Sequence, residues 1–281
     1  MTEPLRTLPP DLAERARAFA ASGAAPPAAR DSATVVVLRD AAGHGVEAYL
    51  LRRVQSMAFA AGRYVFPGGS VDPRDADADV PWAGPPAAGW AAALTADEPL
   101  ARALVCAAVR ETFEEAGILL AGPDDETVAA LDGTWGTARE SLLDRSASLS
   151  ELLTSKGLRV RADLLRPWAH WVTPEIEPRR YDTRFFVAAL PAGQEPLHFA
   201  GESDRAEWVR PTDALARQAT GEIGMLPPTA FTLAELAEFG SVAEVMAAAQ
   251  ARDVRRVLPK IIVTAEDVML LLPGEPGYPG D

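Results

Sequence analysis

The stretch Arg110-Glu-Thr-Phe-Glu-Glu-Ala-Gly-Ile118 decides the fold, and it closes an apolar helical run that begins near Leu100 and stops at Gly117. Each residue of an α-helix advances the chain by about 100°, which puts three carboxylates on one side: those of Glu111, Glu114 and Glu115. Apolar side chains fall on the other side: Val105, Val109 and Phe113. The pattern therefore predicts a helix that buries one face and presents its acidic face to a site.

Three carboxylates clustered on one helix face repel one another. Like charges four residues apart repel by a few tenths of a kcal/mol even in water, so a bound cation or full solvation must offset the repulsion. Hard oxygen ligands with open positions suit Mg²⁺ or Mn²⁺. The planar guanidinium of Arg110 can hold a neighbouring carboxylate in place. The alternative is a solvated acidic face on an acidic protein.

The same stretch resembles the second half of the Nudix box, whose family pattern is G-x5-E-x7-R-E-U-x-E-E-x-G-U, with U a bulky aliphatic residue. Thr112 stands at one aliphatic position, and the other specified positions from Arg110 to Ile118 match. Upstream, Phe66-Pro-Gly-Gly69 resembles the turn that opens the box. Because an unbroken box would place the arginine at position 83, about 27 residues are inserted.

One position of the box departs from the pattern. Counted back from Arg110, the first glutamate of the box falls on Arg102, and Asp97 or Glu98 could substitute in part. The insertion, about residues 72–96, is rich in Asp, Pro, Ala and Gly and is expected to form a solvated acidic surface loop pinned by Trp82 or Trp90. A capping box over residues 95–98 is expected to start the helix.

The resemblance implies an α/β fold: the Nudix α/β/α sandwich with a mixed β-sheet, an insertion inside the box and extra C-terminal helices. Residues 1–30 read as a helix and linker, and residues 31–281 as a single Nudix domain. Helical elaborations are expected at about 124–157, with helices over 127–131 and 138–153, and at 225–252. Strands are predicted at 33–38, 46–53, 166–174 and 181–190, and a terminal hairpin at 260–272.

Within the family, the chain is most similar to the peroxisomal-type acyl-CoA and coenzyme A diphosphatase branch, which also carries an interrupted box. Arg53, Gly62 and the turn at 66–69 keep the spacing of that branch, although its second arginine would fall at Ala58. W-V-T-P-E at 171–175 and R-R-Y-D-T-R-F-F at 179–186 also resemble it. Substrate-binding candidates are Arg53, Arg63, Phe66, Arg180 and Arg184.

Two of these arginines have a plain structural alternative. Arg53 could be an exposed arginine at a strand end. Arg184 lies inside an apolar strand, where an unpaired guanidinium would be costly, so a structural salt bridge is as reasonable as substrate binding.

The resemblance also implies the catalytic roles. The catalytic candidates are Arg110, Glu111, Glu114, Glu115 and Glu202, where Glu202 is preferred to Glu207 by its place before Trp208. The implied ligands of Mg²⁺ or Mn²⁺ are Glu111, Glu114, Glu115, the carbonyl of Gly69, and Glu202. A water would then attack phosphorus in line after losing its proton to Glu114, Glu115 or Glu202.

Composition limits the classes of partner and the cellular compartment that the sequence predicts. A net charge of −13 over 281 residues argues against wrapping nucleic acid, and no apolar stretch is long enough to span a membrane. A single cysteine, Cys106, and the lack of a secretion signal favour a cytoplasmic protein. The expected partner is a small molecule with a nucleoside diphosphate linkage, and a homodimer is possible.

Three functions stay open at this point. The first is hydrolysis of coenzyme A or acyl-CoA to a phosphopantetheine product and adenosine 3′,5′-bisphosphate. The second is a pyrophosphatase acting on ADP-ribose, NADH or nucleotide sugars, and the third is a non-catalytic nucleotide sensor. All three box glutamates at 111, 114 and 115 are kept, which disfavours the sensor.

Overall fold

A computed structural model describes residues 10–57, 60–197, 202–264 and 268–279 of the chain. The first nine residues of the predicted lead-in and the signature position Ala58 lie outside the described residues. The division into a lead-in of residues 1–30 and one domain of residues 31–281 stays a prediction. Among the described helices, none combines the length and the apolar character that crossing a bilayer requires.

Strands and helices alternate along the chain. The strands are β1 (Arg30–Asp40), β2 (Val46–Arg53), β3 (Tyr64–Val65), β4 (Gly68–Ser70), β5 (Trp82–Ala83), β6 (Ala121–Gly122), β7 (Arg159–Arg161), β8 (Arg166–Val172), β9 (Tyr181–Ala189), β10 (Ser203–Val209), β11 (Arg256–Val257), β12 (Lys260–Val263) and β13 (Val268–Leu271). The α-helices are α1 (Pro10–Ser22), α2 (Ala87–Leu94), α3 (Glu98–Ala116), α4 (Trp135–Leu143), α5 (Leu149–Lys156), α6 (Pro211–Ala219), α7 (Pro227–Leu236) and α8 (Val242–Gln250). Short 3₁₀ turns cover Pro73–Ala76 and Ala162–Leu164.

The main sheet is mixed, as predicted. Its order is β10-β2-β1-β9-β8-β11, with β3 paired to β2 and β4 paired to β1. Strand β1 runs antiparallel to β2 and β4 and parallel to β9, so it lies at the centre of the site-bearing region. The pairing of Ala33 with Gly69 brings the glycine turn of the box directly onto the central strand.

Two apolar cores lie on the two faces of this sheet. Successive strand residues point to opposite faces, so Val35 and Val37 join the core under α3, while Val36 and Leu38 join the core under the C-terminal helices. All four side chains are fully buried. Burying one such side chain stabilises the fold by about 1.5–3 kcal/mol. The predicted α/β/α sandwich is confirmed.

The insertion is more structured than the predicted loop. It contains a 3₁₀ turn, strand β5 and helix α2. Trp90 is the expected anchor: it is buried and packs edge-on against Phe186 with ring centroids 5.9 Å apart. Strand β5 pairs with β7, which ties the insertion to the later helical region.

Three local predictions were wrong. Thr95 does not cap α3, because it ends α2 in a left-handed conformation with φ 51°; the cap is Asp97, whose carboxylate accepts the Leu100 N–H at 2.9 Å. No helix forms over 127–131, where Asp124 instead accepts the Thr127 N–H in a turn. The single helix predicted over 138–153 is two helices, α4 and α5, separated by a turn.

The C-terminal elements form as predicted. Strands β12 and β13 pair as an antiparallel hairpin that is separate from the main sheet. Helix α1 packs on this hairpin. Arg15 of α1 also reaches Glu177 of the loop between β8 and β9, with both bonds at 3.3 Å.

Candidate active site

Helix α3 positions the acidic face. The carboxylate cap at Asp97 starts it, and Gly117 ends it with φ 67°, a left-handed conformation that glycine adopts without strain. Between these ends, Val105 and Val109 are fully buried, and the carboxylates occupy the opposite side, as the wheel predicts. The last turns of α3 pack against β4, so the box helix and the glycine turn meet.

Arg110 organises this end of the helix. Its Nη1 donates to Glu111 at 2.8 Å and to Glu114 at 3.3 Å, and its Nη2 donates to the Ser70 carbonyl at 2.9 Å. Its Nε and Nη2 also bind Asp75 in a fork, at 3.0 and 2.9 Å. One buried guanidinium thus fixes two carboxylates of the box and the strand that follows the glycine turn.

Asp75 is the residue that sequence reasoning missed, and its placement corrects two predictions. The G-x5-E part of the pattern, counted forward from Gly69, falls on Asp75; the count back from the arginine had led to Arg102. Asp75 is 3% exposed, so the first part of the insertion is not a solvated loop. Arg102 instead lies over the Trp82 ring, 5.3 Å from its centroid, and the exposed Glu98 takes no part.

The extra residues therefore enter after position 75. Their placement leaves the G-x5-E part of the box intact, with aspartate in place of glutamate. Counting from both ends of the interrupted box would have found this position.

The glycine turn is shaped to receive two glutamates. A Cβ on Gly69 would lie 2.5 Å from a Glu111 carboxylate oxygen, so any side chain there would collide with the site. The Gly68 N–H donates to Glu115 at 2.9 Å. A Cβ on Gly68 would lie 2.5 Å from the Ala33 carbonyl of β1. Gly68 is required because the β1 backbone approaches closely, whereas a side chain at Gly69 would displace the Glu111 carboxylate.

Burial and mutual repulsion perturb these carboxylates. Desolvation, reinforced by the nearby Glu111, raises the pKa of Glu115 from 4.5 to about 8, although the Gly68 N–H and Arg53 oppose the shift. Desolvation likewise raises the pKa of Glu111 from 4.5 to about 7, against the lowering effect of Arg110. Strongly perturbed acids that line one cavity are typical of a functional site.

Glu114 differs from its two neighbours. Desolvation raises its pKa, and the main opposing charge is Arg110. Arg139 of α4 donates to its backbone carbonyl at 2.5 Å. Glu114 is therefore held on both its side chain and its backbone.

The donor set suits a hard divalent cation, although it is not preassembled. Within the residues that the structure describes, no three His, Cys, Asp or Glu side chains converge as a group that could hold a metal ion. Arg110 draws Glu111 and Glu114, while Glu115 faces the Gly68 N–H. Two carboxylates with raised pKa values beside a glycine turn are nevertheless the oxygen-rich, charge-unfavourable arrangement that a cation relieves.

These groups line one large cavity of about 940 Å³. Of the predicted site residues, it brings together Arg53, Phe66, Gly69, Arg110, Glu111, Glu114, Glu115 and Glu202. The alternative residue Glu207 is absent from the lining and binds Arg217 at 3.1 Å.

Arg53 and Glu202 form the most open ion pair of the site. Their closest atoms, Nη2 and Oε2, are 3.4 Å apart, and the Glu202 side chain is 64% exposed. The Glu202 carbonyl accepts the Val54 N–H at 2.9 Å, which fixes its backbone at the end of β2. The buried Nε of Arg53 has no hydrogen-bond partner in the described part of the chain, so Arg53 is not an exposed strand-end arginine but has a donor to spare.

Three predicted substrate-binding arginines do not line this cavity. Arg184 is buried and binds Asp31 at 2.9 Å, together with Asp182, so it is the structural salt bridge of the alternative reading. Arg180 donates to the carbonyls of Pro27 and Thr173, which ties the linker to the β8–β9 loop. Arg63 is exposed and lies against Gly224.

Comparison with known proteins identifies the family. A family model described as the NUDT19 Nudix domain matches residues 90–236. The chain is 29% identical over 283 residues to the acyl-coenzyme A diphosphatase NUDT19 of Gallus gallus, covering 84% of this chain and 73% of that protein. It is 29% identical over 272 residues to the acyl-coenzyme A diphosphatase NUDT19 of Homo sapiens, covering 83% and 72%.

A solved structure agrees with this assignment. The crystal structure of a NUDIX hydrolase from Alicyclobacillus acidocaldarius is 32% identical, has a TM-score of 0.67, and covers 78% of this chain and 96% of that chain. Nudix hydrolases generally use divalent metal ions, and these relatives favour an enzyme over the sensor considered above. The chain therefore belongs to the NUDT19 Nudix domain family and is a Nudix diphosphate hydrolase.

Proposed function

We propose that this enzyme hydrolyses the diphosphate of coenzyme A or acyl-CoA, giving a phosphopantetheine product and adenosine 3′,5′-bisphosphate. The observation that carries the proposal is that the box carboxylates line one cavity of about 940 Å³. That volume is near the upper end of small-molecule sites, which range over roughly 300–1,000 Å³. The relatives named acyl-coenzyme A diphosphatase point to the same substrate class.

The cavity also has an apolar wall that suits a pantetheine or acyl chain. This wall comes from elements outside the box: α1, the ends of β8 and β9, and the C-terminal hairpin. Its apolar side chains are Leu12, Trp171, Phe185, Ile261 and Leu270. ADP-ribose, NADH and nucleotide sugars share the diphosphate, but they bring no long apolar group to such a wall.

The proposed cofactor is Mg²⁺ or Mn²⁺. Glu111, Glu114, Glu115, the Gly69 carbonyl and Glu202 would hold it, because they supply hard oxygen donors around the glycine turn. A divalent cation bound there would offset the charge on the phosphate oxygens and on the leaving group.

The chain's own residues have separate tasks in this proposal. Arg110 fixes Glu111 and Glu114 through Nη1. Arg53, whose buried Nε has no partner among the described residues, would donate to a phosphate oxygen, because a charge-assisted hydrogen bond is about twice as strong as a neutral one. Glu114, Glu115 or Glu202 accepts the proton of the water that attacks phosphorus in line. Gln substitutions at these three positions separate the base from the residues that only bind.

The test is a substrate panel with product identification. The purified protein is incubated with coenzyme A, a long-chain acyl-CoA, ADP-ribose, NADH and a nucleotide sugar, with Mg²⁺, with Mn²⁺ and with a chelator. Products are separated by chromatography and identified by mass. Release of adenosine 3′,5′-bisphosphate from the CoA substrates at the highest kcat/KM, lost with chelator, supports the proposal.

Two results would contradict the proposal, and one variant serves as a control. Preferred hydrolysis of ADP-ribose or NADH would replace the proposed substrate by the runner-up. Equal rates with and without chelator would remove the metal from the mechanism. The variant Glu115→Gln serves as the inactive control, and its circular dichroism and melting temperature show that it is folded.

A further inference from the structure

We propose that Arg145 binds the 3′-phosphate of the nucleotide half and so selects coenzyme A over analogues that lack this group. The inference rests on the proposed function, because it assigns a residue to one phosphate of that substrate. Arg145 lies outside the box, in the turn between α4 and α5.

Arg145 is held in an unusual backbone conformation. Its φ is 63°, in the left-handed region, although it is not glycine. That conformation is unfavourable for a residue with a side chain, because its Cβ approaches the following carbonyl oxygen. The surrounding turn over-determines it: the Arg145 N–H donates to the Leu142 carbonyl at 3.0 Å, and the Ala147 N–H donates to the Ser141 carbonyl at 2.9 Å. The left-handed residue directly follows the Asp144 cap of α4 and turns the chain toward α5.

A second arginine clamps the same turn. Arg74, in the 3₁₀ turn after the glycine turn, donates from Nη1 to the carbonyls of Arg145 at 3.1 Å and Ala147 at 3.4 Å. Its Nε and Nη2 bind the Asp72 carboxylate at 3.1 and 3.3 Å. The charge of Arg74 is thus balanced and its donors are engaged, so Arg74 positions the turn and does not compete for a ligand.

A continuous series of contacts joins this turn to the carboxylates. Arg74 binds Asp72, and the Asp72 N–H donates to Asp75 at 2.8 Å. Asp75 in turn binds Arg110, which holds Glu111. The Arg145 backbone is therefore tied through these contacts to the residues that would receive the diphosphate, and Arg145 lines the same cavity.

The arginines that line the cavity differ in whether protein groups already bind their guanidinium groups. The arginines that line the cavity are Arg30, Arg53, Arg74, Arg110 and Arg145. Arg74 and Arg110 are committed to protein partners, and Arg53 is shared between Glu202 and the diphosphate. Arg145 lines the cavity, and in the described part of the chain its guanidinium has no hydrogen bond or ion pair to a protein group.

The chemistry matches an additional phosphate. A phosphate monoester carries about −1.5 to −2 charge at neutral pH, and two of its tetrahedrally arranged oxygens can accept a pair of parallel hydrogen bonds from a guanidinium fork. In coenzyme A, this group is attached to the ribose next to the diphosphate. In a protein with a net charge of −13, an arginine kept free at the cavity favours an anionic ligand locally.

Arg30 is the rival. It also lines the cavity, and its side chain has no partner among the described residues, but it lies at the start of β1 beside Asp31 and on the wall shared with the β8–β9 loop. The experiment must therefore compare both arginines. Arg255 provides a matched control, because its side chain is 87% exposed and it does not line the cavity.

The test measures kcat and KM with coenzyme A and with 3′-dephospho-coenzyme A for the wild type and for Arg145→Gln, Arg30→Gln and Arg255→Gln. We expect the wild type to favour coenzyme A about tenfold or more in kcat/KM, since a hydrogen bond between charged groups contributes roughly 1.5–3 kcal/mol and 1.4 kcal/mol is tenfold. Arg145→Gln should raise KM for coenzyme A by about the same factor and leave the dephospho substrate unchanged.

Two further variants separate binding from folding. Arg145→Gly relaxes the left-handed backbone, so it should keep the melting temperature and still lose the preference for coenzyme A. Arg145→Lys should keep part of the preference, because it retains a positive charge without the fork.

The results against the inference are distinct from those against the function. If the wild type cleaves both substrates equally well, or if Arg145→Gln affects both equally, the proposed function stands and the role of Arg145 is refuted. Loss of the preference in Arg30→Gln alone would transfer the role to Arg30. If the wild type cleaves neither substrate, the proposed function fails and the inference fails with it.

Discussion

Replacing Asp75 by asparagine removes the buried negative charge on which Arg110 depends. The Asp75 side chain is 2% exposed and that of Arg110 is 10% exposed, so water cannot take over the lost interaction. Two N–H···O bonds of 3.0 and 2.9 Å join the pair, and the Asp72 N–H adds a third at 2.8 Å. Breaking a buried pair by removing one partner costs about 3–5 kcal/mol. That cost is a large part of the usual 5–15 kcal/mol of unfolding free energy.

The assay is urea unfolding together with thermal unfolding, since 1 kcal/mol shifts Tm by about 2–4 °C in a protein of this size class. We expect Tm to fall on the order of 10 °C and kcat to fall as well, because Arg110 also fixes Glu111 and Glu114. Asp79→Asn is the matched control: it makes the same change at an exposed site of the insertion. A loss of less than 1 kcal/mol in Asp75→Asn, relative to that control, would refute the reasoning.

Three further substitutions and one pH titration test the site and the insertion. Glu115→Gln should lower kcat by at least about a hundredfold, as measured in the substrate panel. The pKa of Glu111 is raised from 4.5 to about 7 and that of Glu115 from 4.5 to about 8. The folded protein therefore binds more protons than the unfolded chain between pH 4.5 and 8. Without metal, the unfolding free energy should fall as the pH rises through this window. Urea titrations at several pH values check this, and Mg²⁺ or Glu115→Gln should flatten the dependence; a rise with pH contradicts it. Arg53→Gln should raise KM about tenfold for every diphosphate tested, whereas a selective effect on one substrate would count against a diphosphate contact. Trp90→Ala should cost about 3–5 kcal/mol in urea unfolding, and a cost below 1 kcal/mol would show that the insertion is not part of the core.

The spacing of apolar residues predicted those parts of the fold that depend on local sequence. The burial of Val105 and Val109 and the acidic opposite face of α3 follow from helical spacing alone. The alternation of Val35 to Leu38 between the two cores follows from strand geometry. The likeness to the Nudix box then placed the glycine turn beside the helix, which spacing alone could not do.

The remaining residues depend on contacts between distant parts of the chain. One partner of Arg184 is Asp182, two residues away, but the other is Asp31, 153 residues away, and no local pattern reveals the distant one. Asp75 was obscured because an insertion made the count ambiguous from one end. The role of Arg145 depends on a left-handed φ and on Arg74, which is 71 residues earlier in the chain. Side-chain position in a cavity is a tertiary property, so sequence reasoning could name candidate arginines but could not choose among them.

The docking of α1 on the C-terminal hairpin has a practical consequence for anyone preparing this protein. Leu12 belongs to the cavity wall, and Arg15 fastens the helix to Glu177. An expression clone trimmed to start at Arg30 would look reasonable from a domain alignment, yet it would strip one side from the compartment that receives the substrate. Activity should therefore be measured on protein that keeps α1 before any kinetic constant is interpreted.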